Sequence, residues 1–565
     1  MVPLWRAGGW KILGVVLWCG MLPLLGGCGG GGGGGAPGEP TVPPLPSVAP
    51  SPSWAPSPTS GPLPTPTPAP RGDLGYYDPG NPELTVLWVD GAHGDDRRDG
   101  LTREGALRTL EAAWDRVPPG ALTGTGYQIR LCPGRYERSD GEAFWLEGRH
   151  GTREHPVWIT AAEGPGTVTL RSLTVHDCRF LYLTEVTLAG DDENVLHLQG
   201  ESDHVLLRDA VVRGAPPASQ TTQESLKVNQ CHAVFLERCR ISGGWNVAVD
   251  FYGVHDGHLV NNVISGAGAW GLYVKGGSSG LRVEANELFD AEQGGFSAGD
   301  GTGFEYMRFP WLHYDAADIK FVNNVIHHVG GAGMAVWGGY NVLLAHNTLY
   351  RVGDRSHALE VVFGLRKCDG DTVRARENLD AGGWGTLVVR RDDPEWGEPI
   401  PNRHVYIFNN VLYNPAGFAS PFGHFSVPGP RMPGEGSNIP RPATADEDLR
   451  IRGNVLWNGP ADLPLMAGEP RGCLPGNPTC SDGQLRRDNT LNTLVPELLG
   501  PEEGDFRPVP GGSLARVGAR ALPDFPGGDL PSPRTPAGDL RNVVSRDREG
   551  KPRSGAPLPG AYEAP

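Results

Sequence analysis

Four charged residues recur at nearly constant intervals in the middle of the chain. Lys227, Asp250, Lys275 and Asp300 are separated by 23, 25 and 25 residues. A lysine that is desolvated or lies near other cations has a lowered pKa and can act as a general base. The carboxylates Asp250 and Asp300, together with Glu224 just before Lys227, are of the type that binds calcium. If the interval is one turn of a repeating fold, these side chains share one face, and Lys227 or Lys275 could remove a proton alpha to a carboxylate.

A long insertion, "SAGDGTGFEYMRFPWLHYDAADIK", surrounds Asp300. Loops placed by a rigid scaffold commonly hold functional residues. Within it, Arg308 is the third candidate catalytic residue, because it could hold a substrate carboxylate, with Arg282 as the alternative. A glycoside hydrolase would instead need two opposed carboxylates, and Asp250 with Asp300 or Glu305 is one such pair.

Aromatic residues accompany the charged positions, mostly in predicted loops or at strand ends. Sugar rings have apolar faces that stack on such side chains. Trp337 stands in "AVWGG" where Lys275 stands in "YVKGG", so we expect it to continue the same column. The structural alternative is that some rings fill a core and that the charges of the column neutralise one another. The candidates for substrate binding are Trp245, Tyr252, Tyr273, Tyr306 and Trp337.

A second repeated phrase, apolar-x-apolar-x-x-Asn-x-apolar, identifies the repeating unit. Neighbouring copies lie 23 or 24 residues apart, and longer gaps, such as those of 38 and 63 residues, predict inserted loops or a skipped unit. Self-similarity at such a period indicates a solenoid. The phrase places these residues at equivalent positions: Asp209, Cys239, Asn262, Asn286, Asn324, Asn347, Asn410 and Asn454.

The pattern within each unit favours short β-strands, because apolar residues alternate with polar ones. Asn suits a corner, since it tolerates left-handed backbone angles and its side chain can bond to the backbone. We therefore predict an all-β fold, a right-handed parallel β-helix with three short strands per coil and with the asparagines stacked at one corner. The alternative, a β-sandwich, would not produce a repeated spacing of 23–24 residues.

The start of the folded region predicts a cap for this solenoid. "LWVDGAHGDDRRDGLTREGALRTLEAAWDRV" contains a strand and an amphipathic helix that Thr102 could cap, within residues 85–120. This segment, and the tail "DREGKPRSGAPLPGAYE", resemble the ends of bacterial β-helix proteins of the pectate-lyase-like superfamily. The resemblance covers most of the chain after Asp73, and the long insertion is similar to a phrase of many uncharacterised members.

"ESLKVN", residues 224–229, loosely resembles a glutamate-to-lysine phrase of chondroitinase-type and alginate-lyase-type β-helices. The resemblance implies a uronate polysaccharide lyase with Lys227 as the base and calcium at Glu224. The chain lacks the Trp-Ile-Asp-His phrase of pectate lyases and the Asn-Thr-Asp and Gly-His-Gly phrases of polygalacturonases. Three functions therefore stay open: a polysaccharide lyase, a glycoside hydrolase, and a non-catalytic β-helix that binds glycan or has a structural role at a surface.

The first residues predict export and a lipid anchor. Residues 1–27 have a positive start and the apolar run "ILGVVLWCGMLPLL", which is short for a membrane span. "LGGC" resembles a bacterial lipobox, so Cys28 is the expected lipidation site. Residues 28–72 are rich in Gly and Pro and predict an extended tether, which leaves 73–565 for the β-helix. We expect a monomer outside the cytoplasm that contacts a bacterial membrane only through its lipid.

The composition limits the partners. The formal net charge of −16 makes nucleic acid an unsuitable partner and disfavours a purely electrostatic attraction to an acidic polysaccharide. Calcium or a locally positive groove would remove that conflict. Cys473 and Cys480 flank a short Pro/Gly loop and predict a disulfide.

Overall fold

The computed structural model describes residues 75–390, 396–459, 465, 472, 480–533 and 538–565. All of them belong to the unit Ala69–Pro565. The predicted signal segment, Cys28, the predicted tether and Cys473 lie outside the described residues. Cys480 is disulfide-bonded, and Cys132, Cys178, Cys231, Cys239 and Cys368 are free thiols. Among the described helices, none has the length and apolar character of a membrane span.

From Val157 to Ser426, each coil contributes one strand to each of three parallel sheets, which we call sheets 1, 2 and 3. Strands form because apolar residues alternate with residues that point outward; Leu272 and Val274, for example, are fully buried in the core, with Tyr273 between them. Successive coils stack in parallel register along the whole body. The predicted fold, a right-handed parallel β-helix, is confirmed.

The strands follow the same order, sheet 1, sheet 2, sheet 3, in each complete coil. Sheet 1 comprises Leu84–Val89, Gly120–Ala121, Gly126–Leu131, Arg149–His150, Val157–Ala161, Arg179–Thr184, Asp203–Arg208, His232–Glu237, His255–Val260, Ser278–Glu284, Ala316–Val322, Gly339–Ala345, Arg403–Phe408 and Arg450–Arg452. Sheet 2 comprises Gly134–Tyr136, Val168–Leu170, Thr187–Ala189, Val211–Arg213, Arg240–Ser242, Val263–Ala267, Glu287–Ala291, Val325–Val329, Thr348–Val352, Val411–Tyr413, Val455–Trp457 and Thr490–Leu491. Sheet 3 comprises Phe144–Glu147, Leu173–His176, Asn194–Gln199, Glu224–Asn229, Val247–Tyr252, Trp270–Lys275, Gly294–Ala298, Ala332–Trp337, Leu359–Val362 and Phe425–Ser426.

The remaining elements lie in caps and insertions. Two small sheets are formed by Gly301–Gly303, Gly364–Lys367 and Glu398–Ile400, and by Leu498–Gly500 and Asp505–Pro508. The α-helices are Leu110–Arg116, Thr372–Asp380 and Asp482–Asp488, and the 3-10 turns are Pro217–Ser219, Phe304–Tyr306, Pro501–Glu503 and Ser513–Arg516.

The predicted asparagines form a hydrogen-bonded ladder at the corner between sheets 1 and 2. The backbone N–H and the side-chain amide of Asn262 both donate to Oδ1 of Asn286, at 2.8 and 2.9 Å. The same contacts join each next pair of the predicted series and continue to Asn489, which the sequence pattern had missed. The gaps of 38 and 63 residues are therefore insertions between adjacent coils, as predicted.

The backbone reason given for Asn at this corner was wrong. The left-handed residue is the one before the ladder asparagine, such as Asn261 or Asn323, with φ of 56° and 57°. Asp209, with φ of 53°, occupies this earlier position, so the ladder position in its coil belongs to Ala210. The ladder asparagines are buried, and they satisfy buried backbone groups through their amides.

The predicted cap contains a helix, but a shorter one. It spans Leu110–Arg116, and Thr109, whose hydroxyl accepts from the N–H of Ala112, caps it. Thr102 instead accepts from the N–H of Gly105 in the preceding turn, so the predicted cap residue was wrong. The helix covers the open end of the coil with a buried apolar face.

Both ends of the described chain lie against the outer face of sheet 1. The N–H of Tyr77 donates to Glu237 at 2.6 Å, and the Tyr76 hydroxyl contacts Asn261. Near the C-terminus, Arg553 donates to Asn323 at 2.8 Å. Sheet 3 keeps exposed side chains on its outer face near the N-terminal end, at Trp145 and Glu147.

Candidate functional site

The register of sheet 3 aligns a row of outward-pointing residues, one from each coil. Adjacent members are about 4.8 Å apart, the spacing of paired strands. We call this set the outer row of sheet 3: Trp145, Thr174, His197, Lys227, Asp250, Tyr273, Ser297, Ala335, Glu360 and Ser426. A linear polymer could follow such a row along the solenoid.

Two lysines and three carboxylates meet on this face. Lys275 Nζ lies 3.6 Å from Asp250 Oδ1 and 3.3 Å from Asp300 Oδ2. Lys227 Nζ lies 3.5 Å from Glu224 Oε2. The sequence thus identified residues that do converge, because each belongs to the same sheet or to the loop that follows it.

Their predicted arrangement in one column was wrong. Lys227 and Asp250 are register partners, but Lys275 pairs with Tyr252, and Tyr273 is the partner of Asp250. The coil in this region repeats after 23 residues, so a spacing of 25 places Lys275 two positions further along its strand. Its long side chain then bridges the carboxylates of Asp250 and Asp300. Val274 pairs with Ala298, and Ala298 pairs with Val336. Trp337, the residue after Val336, therefore continues the column of Lys275, the residue after Val274, as predicted.

The carboxylates hold Lys275 in its charged form. Burial alone would lower the pKa of Lys275, but Asp250, Asp300 and Glu224 outweigh it, and the pKa is raised. A lysine in this setting is a poor general base at neutral pH and a permanent local cation. Lys227 is more accessible, with 22% of its side chain exposed against 11% for Lys275.

Glu224 differs from the other carboxylates of the cluster. It is 1% exposed, and burial raises its pKa, with Lys227 opposing the shift and Asp250 adding to it. Asn246 donates a hydrogen bond to its Oε1 at 3.2 Å. Burial thus favours the protonated form of Glu224.

The predicted calcium ligands do not fit a calcium site well. Asp250 and Asp300 face the ammonium group of Lys275, which stands between them where a bound cation would have to be. Among the described residues, no three His, Cys, Asp or Glu side chains converge as metal ligands. The chemistry of this set is that of a carboxylate-bound lysine, since calcium requires six or more oxygen ligands.

Arg308 and Glu305 are used elsewhere. Arg308 donates to Gln230 at 3.1 Å and lies 3.7 Å from Glu201, so its guanidinium is engaged away from the lysine cluster. Glu305 is buried, and its Oε1 accepts from the backbone N–H groups of Asp369 and Asp371. These bonds join the insertion after Asp300 to the insertion that contains Asp369. The geometry therefore does not support Glu305 as a glycosidase carboxylate.

The predicted aromatic residues surround Lys275 but are mostly covered. Lys275 Nζ lies 4.4 Å from the ring centre of Tyr273 and 6.0 Å from that of Tyr252. Tyr273 is only 8% exposed and stacks on Trp270, so it supports the lysine and offers little surface to a sugar. Tyr306 is 47% exposed and packs edge-on against Tyr252. These contacts place Tyr306 at the margin of the cluster.

Trp245 and Trp337 lie on either side of this group. Trp245 is half-buried in the corner before strand Val247–Tyr252. Trp337 is half-buried and packs edge-on against Trp270 at 6.1 Å. Both retain accessible surface for a ligand.

Seven members of the outer row were missed by the sequence analysis, and three of them carry an aromatic or titratable side chain. Trp145 is 48% exposed at the N-terminal end. Burial lowers the pKa of His197 to about 4, helped by Lys227, so its imidazole is neutral at pH 7. Burial raises the pKa of Glu360 to about 7, with Ser356 and Trp337 partly opposing the shift. Only the strand register, which depends on loop lengths, reveals that these residues align with Lys227.

Comparison with known proteins agrees with this fold. Residues 163–349 match the family described as right handed beta helix region. No curated protein matches the chain. Similar solved structures include pectate lyase Pel9A, with 12% identity, TM-score 0.42 and coverage of 86% of this chain and 98% of that one. A rhamnogalacturonan lyase has 13% identity, TM-score 0.36 and coverage of 71% and 98%. An alginate lyase from Paenibacillus sp. str. FPU-7 has 14% identity, TM-score 0.33 and coverage of 65% and 94%; at these identities the likeness concerns the fold alone.

Proposed function

We propose that the protein binds a polysaccharide along the outer row of sheet 3 and cleaves it as a uronate lyase, by β-elimination. The observation that carries the proposal is the convergence of two lysines and three carboxylates on the outer face of sheet 3 and the loop after it: Lys227, Lys275, Glu224, Asp250 and Asp300. A linear polymer could lie along this row. Near the centre of the row lie a fixed cation, Lys275, and a more accessible amine, Lys227.

Lys227 is the base in this scheme. Its neutral amine removes the proton alpha to the uronate carboxylate, and the electron pair forms the new double bond as the bond to the leaving oxygen breaks. The leaving oxygen takes a proton, which the protonated Glu224 carboxyl or the newly formed Lys227 ammonium supplies. Lys227 suits the role because it is more exposed than Lys275. Its ion-pair partner, Glu224, has a raised pKa and so readily becomes neutral.

Lys275 is the cation. The reaction builds negative charge on the substrate carboxylate, and a fixed positive group stabilises that charge without reorganising. Asp250 and Asp300 keep Lys275 protonated and in place. The role that the sequence assigned to calcium thus falls to an ammonium group of the chain itself.

The acidity of the whole protein is compatible with this substrate. Lys275 gives the substrate carboxylate a positive contact that remains when Lys227 is the neutral base and Glu224 is protonated. This attraction acts at short range, together with hydrogen bonds and stacking, whereas salt screens the net charge of the whole protein.

The test is incubation of the purified protein with alginate, pectate and chondroitin, with the unsaturated product followed by ultraviolet absorbance. Lys227→Ala should lower kcat by on the order of a hundredfold or more with a smaller effect on KM. Lys320→Ala, on sheet 1, is the matched control and should retain activity. Activity that survives Lys227→Ala would refute the assignment of the base.

A second candidate function is non-catalytic glycan binding. Lys275 is largely buried and already bonded to two carboxylates, which is also what a purely structural charge pair would look like. Retention of an acidic glycan on an affinity gel, with no cleavage of any of the three polysaccharides, would favour this function over the lyase.

We also propose that the protein works outside the cytoplasm, attached to a bacterial membrane through a lipid on Cys28. The support is the sequence of residues 1–72, which combines an apolar leader, a lipobox-like phrase and a Gly/Pro-rich tether.

A further inference from the structure

The N-terminal end of the outer row presents a fixed and exposed aromatic ring. Trp145 is 48% exposed, and its ring stacks on that of His176 with 5.6 Å between centres. Its indole N–H donates to Glu147 Oε2 at 2.7 Å, and Glu147 Oε1 lies 3.2 Å from His176 Nδ1. These three contacts hold the ring in one orientation on the sheet surface, so it can bind a ligand with little loss of side-chain freedom.

This ring belongs to the same line of residues as the proposed base. Trp145, Thr174, His197 and Lys227 are successive register partners. Three strand steps separate Trp145 from Lys227, or about 14 Å at the spacing of paired strands. A polysaccharide that reaches Lys227 and continues along the solenoid would therefore place a later sugar ring over Trp145.

The chemistry around Trp145 selects an uncharged sugar. The three N-terminal strands of the row, Phe144–Glu147, Leu173–His176 and Asn194–Gln199, contain no lysine or arginine. The nearby guanidinium of Arg149 is engaged by backbone carbonyl groups, including that of Glu147, and by the ring of Trp114. Glu147 is 54% exposed and bonded to the indole, so its charge would repel a uronate carboxylate. His197, between Trp145 and Lys227, is neutral at pH 7 and provides no counter-charge.

We infer that Trp145, supported by His176 and Glu147, is a distal sugar subsite that stacks on an uncharged pyranose ring of the polysaccharide bound at Lys227. This inference rests on the proposed function and narrows its substrate. The substrate polysaccharide should alternate uronates with uncharged sugars, since a polymer made only of uronates would place a carboxylate beside Glu147.

The test compares two probes of similar length in the purified protein. Chondroitin oligosaccharides alternate uronates with uncharged N-acetylhexosamines, whereas oligogalacturonides carry a carboxylate on every ring. Calorimetric titration should give tighter binding for the chondroitin series, with an increase in affinity once the oligosaccharide is long enough to reach Trp145. Trp145→Ala should remove that increase, which is about two- to tenfold for one aromatic contact.

Two further variants control for loss of a ring and for misfolding. Trp145→Phe keeps an aromatic face and should retain most of the length dependence. Phe418→Ala removes an exposed ring outside sheet 3 and should leave binding unchanged. Unchanged affinity of Trp145→Ala for long chondroitin oligosaccharides, or tighter binding of oligogalacturonides by the unmodified protein, would overturn the inference. Length-dependent binding through Trp145 without cleavage would refute the lyase and leave the subsite standing.

Discussion

Glu360 provides a direct test of the electrostatics of the outer row. Its ordinary pKa is 4.5, and burial on the face of sheet 3 raises it to about 7. Between these two pH values the unfolded chain loses a proton that the folded chain keeps, so the stability of the folded protein falls as pH rises from 4.5 to 7. Above pH 7 both states are ionised and the loss is complete. The difference of about 2.5 pKa units corresponds to about 3 kcal/mol.

Glu360→Gln replaces the carboxyl with a neutral amide of similar shape and should remove this pH dependence. Relative to the unmodified protein, the variant should gain stability from pH 4.5 to pH 7 and reach a plateau of up to about 3 kcal/mol. Urea unfolding at half-unit pH intervals measures the difference, and hydrogen exchange of strand Leu359–Val362 gives a local readout. Glu104→Gln, at an exposed position in the cap, is the matched control. A Glu360→Gln difference that stays constant from pH 4.5 to 8 would refute the argument.

Three further predictions address the ladder, the cation and the anchor. Asn324→Ala should destabilise the fold by about 2–6 kcal/mol in urea unfolding, because two buried amide donors of Asn286 lose their acceptor, whereas exposed Asn81→Ala should have little effect. Any lyase activity should survive EDTA and gain nothing from added calcium, because Lys275 provides the positive charge; loss with EDTA and recovery with calcium would contradict this role. Cys28→Ser should move the protein from the membrane to the soluble fraction without changing its unfolding midpoint, and unchanged fractionation would count against lipidation.

The sequence predicted the solenoid well because its main determinant is a local spacing. A buried Asn every 23 or 24 residues is a regular signal, and the ladder from Asn262 to Asn454 follows it through three insertions. The physical reason for Asn was not predictable from residue type alone. Left-handed angles and amide bonding are both properties of Asn, and only the backbone reveals that they apply to neighbouring positions such as Asn261 and Asn262.

The candidate site was predictable as a set of residues but not as an arrangement. A difference of two residues between the spacings 23 and 25 moves Lys275 out of the column of Asp250, and turn lengths decide this. The sequence also did not predict burial. Tyr273 was a candidate sugar-binding ring, but in the fold it is buried and stacks on Trp270. Trp145 and Glu360 belong to no repeated phrase, so only the completed register aligns them with Lys227.

The attachment of Gly75–Tyr77 to sheet 1 has a mechanical consequence. Arg282 donates to the carbonyl of Gly75 at 3.2 Å, and the next two residues contact Asn261 and Glu237, all in central coils. A terminal coil has a neighbour on one side only and can peel away strand by strand under load, whereas a central coil is paired on both sides. Tension applied at Gly75 therefore enters the solenoid at its central coils, through contacts to three successive strands of sheet 1. The fold should resist such a pull in shear across several coils at once, and unravelling from the capped end would require these contacts to break first.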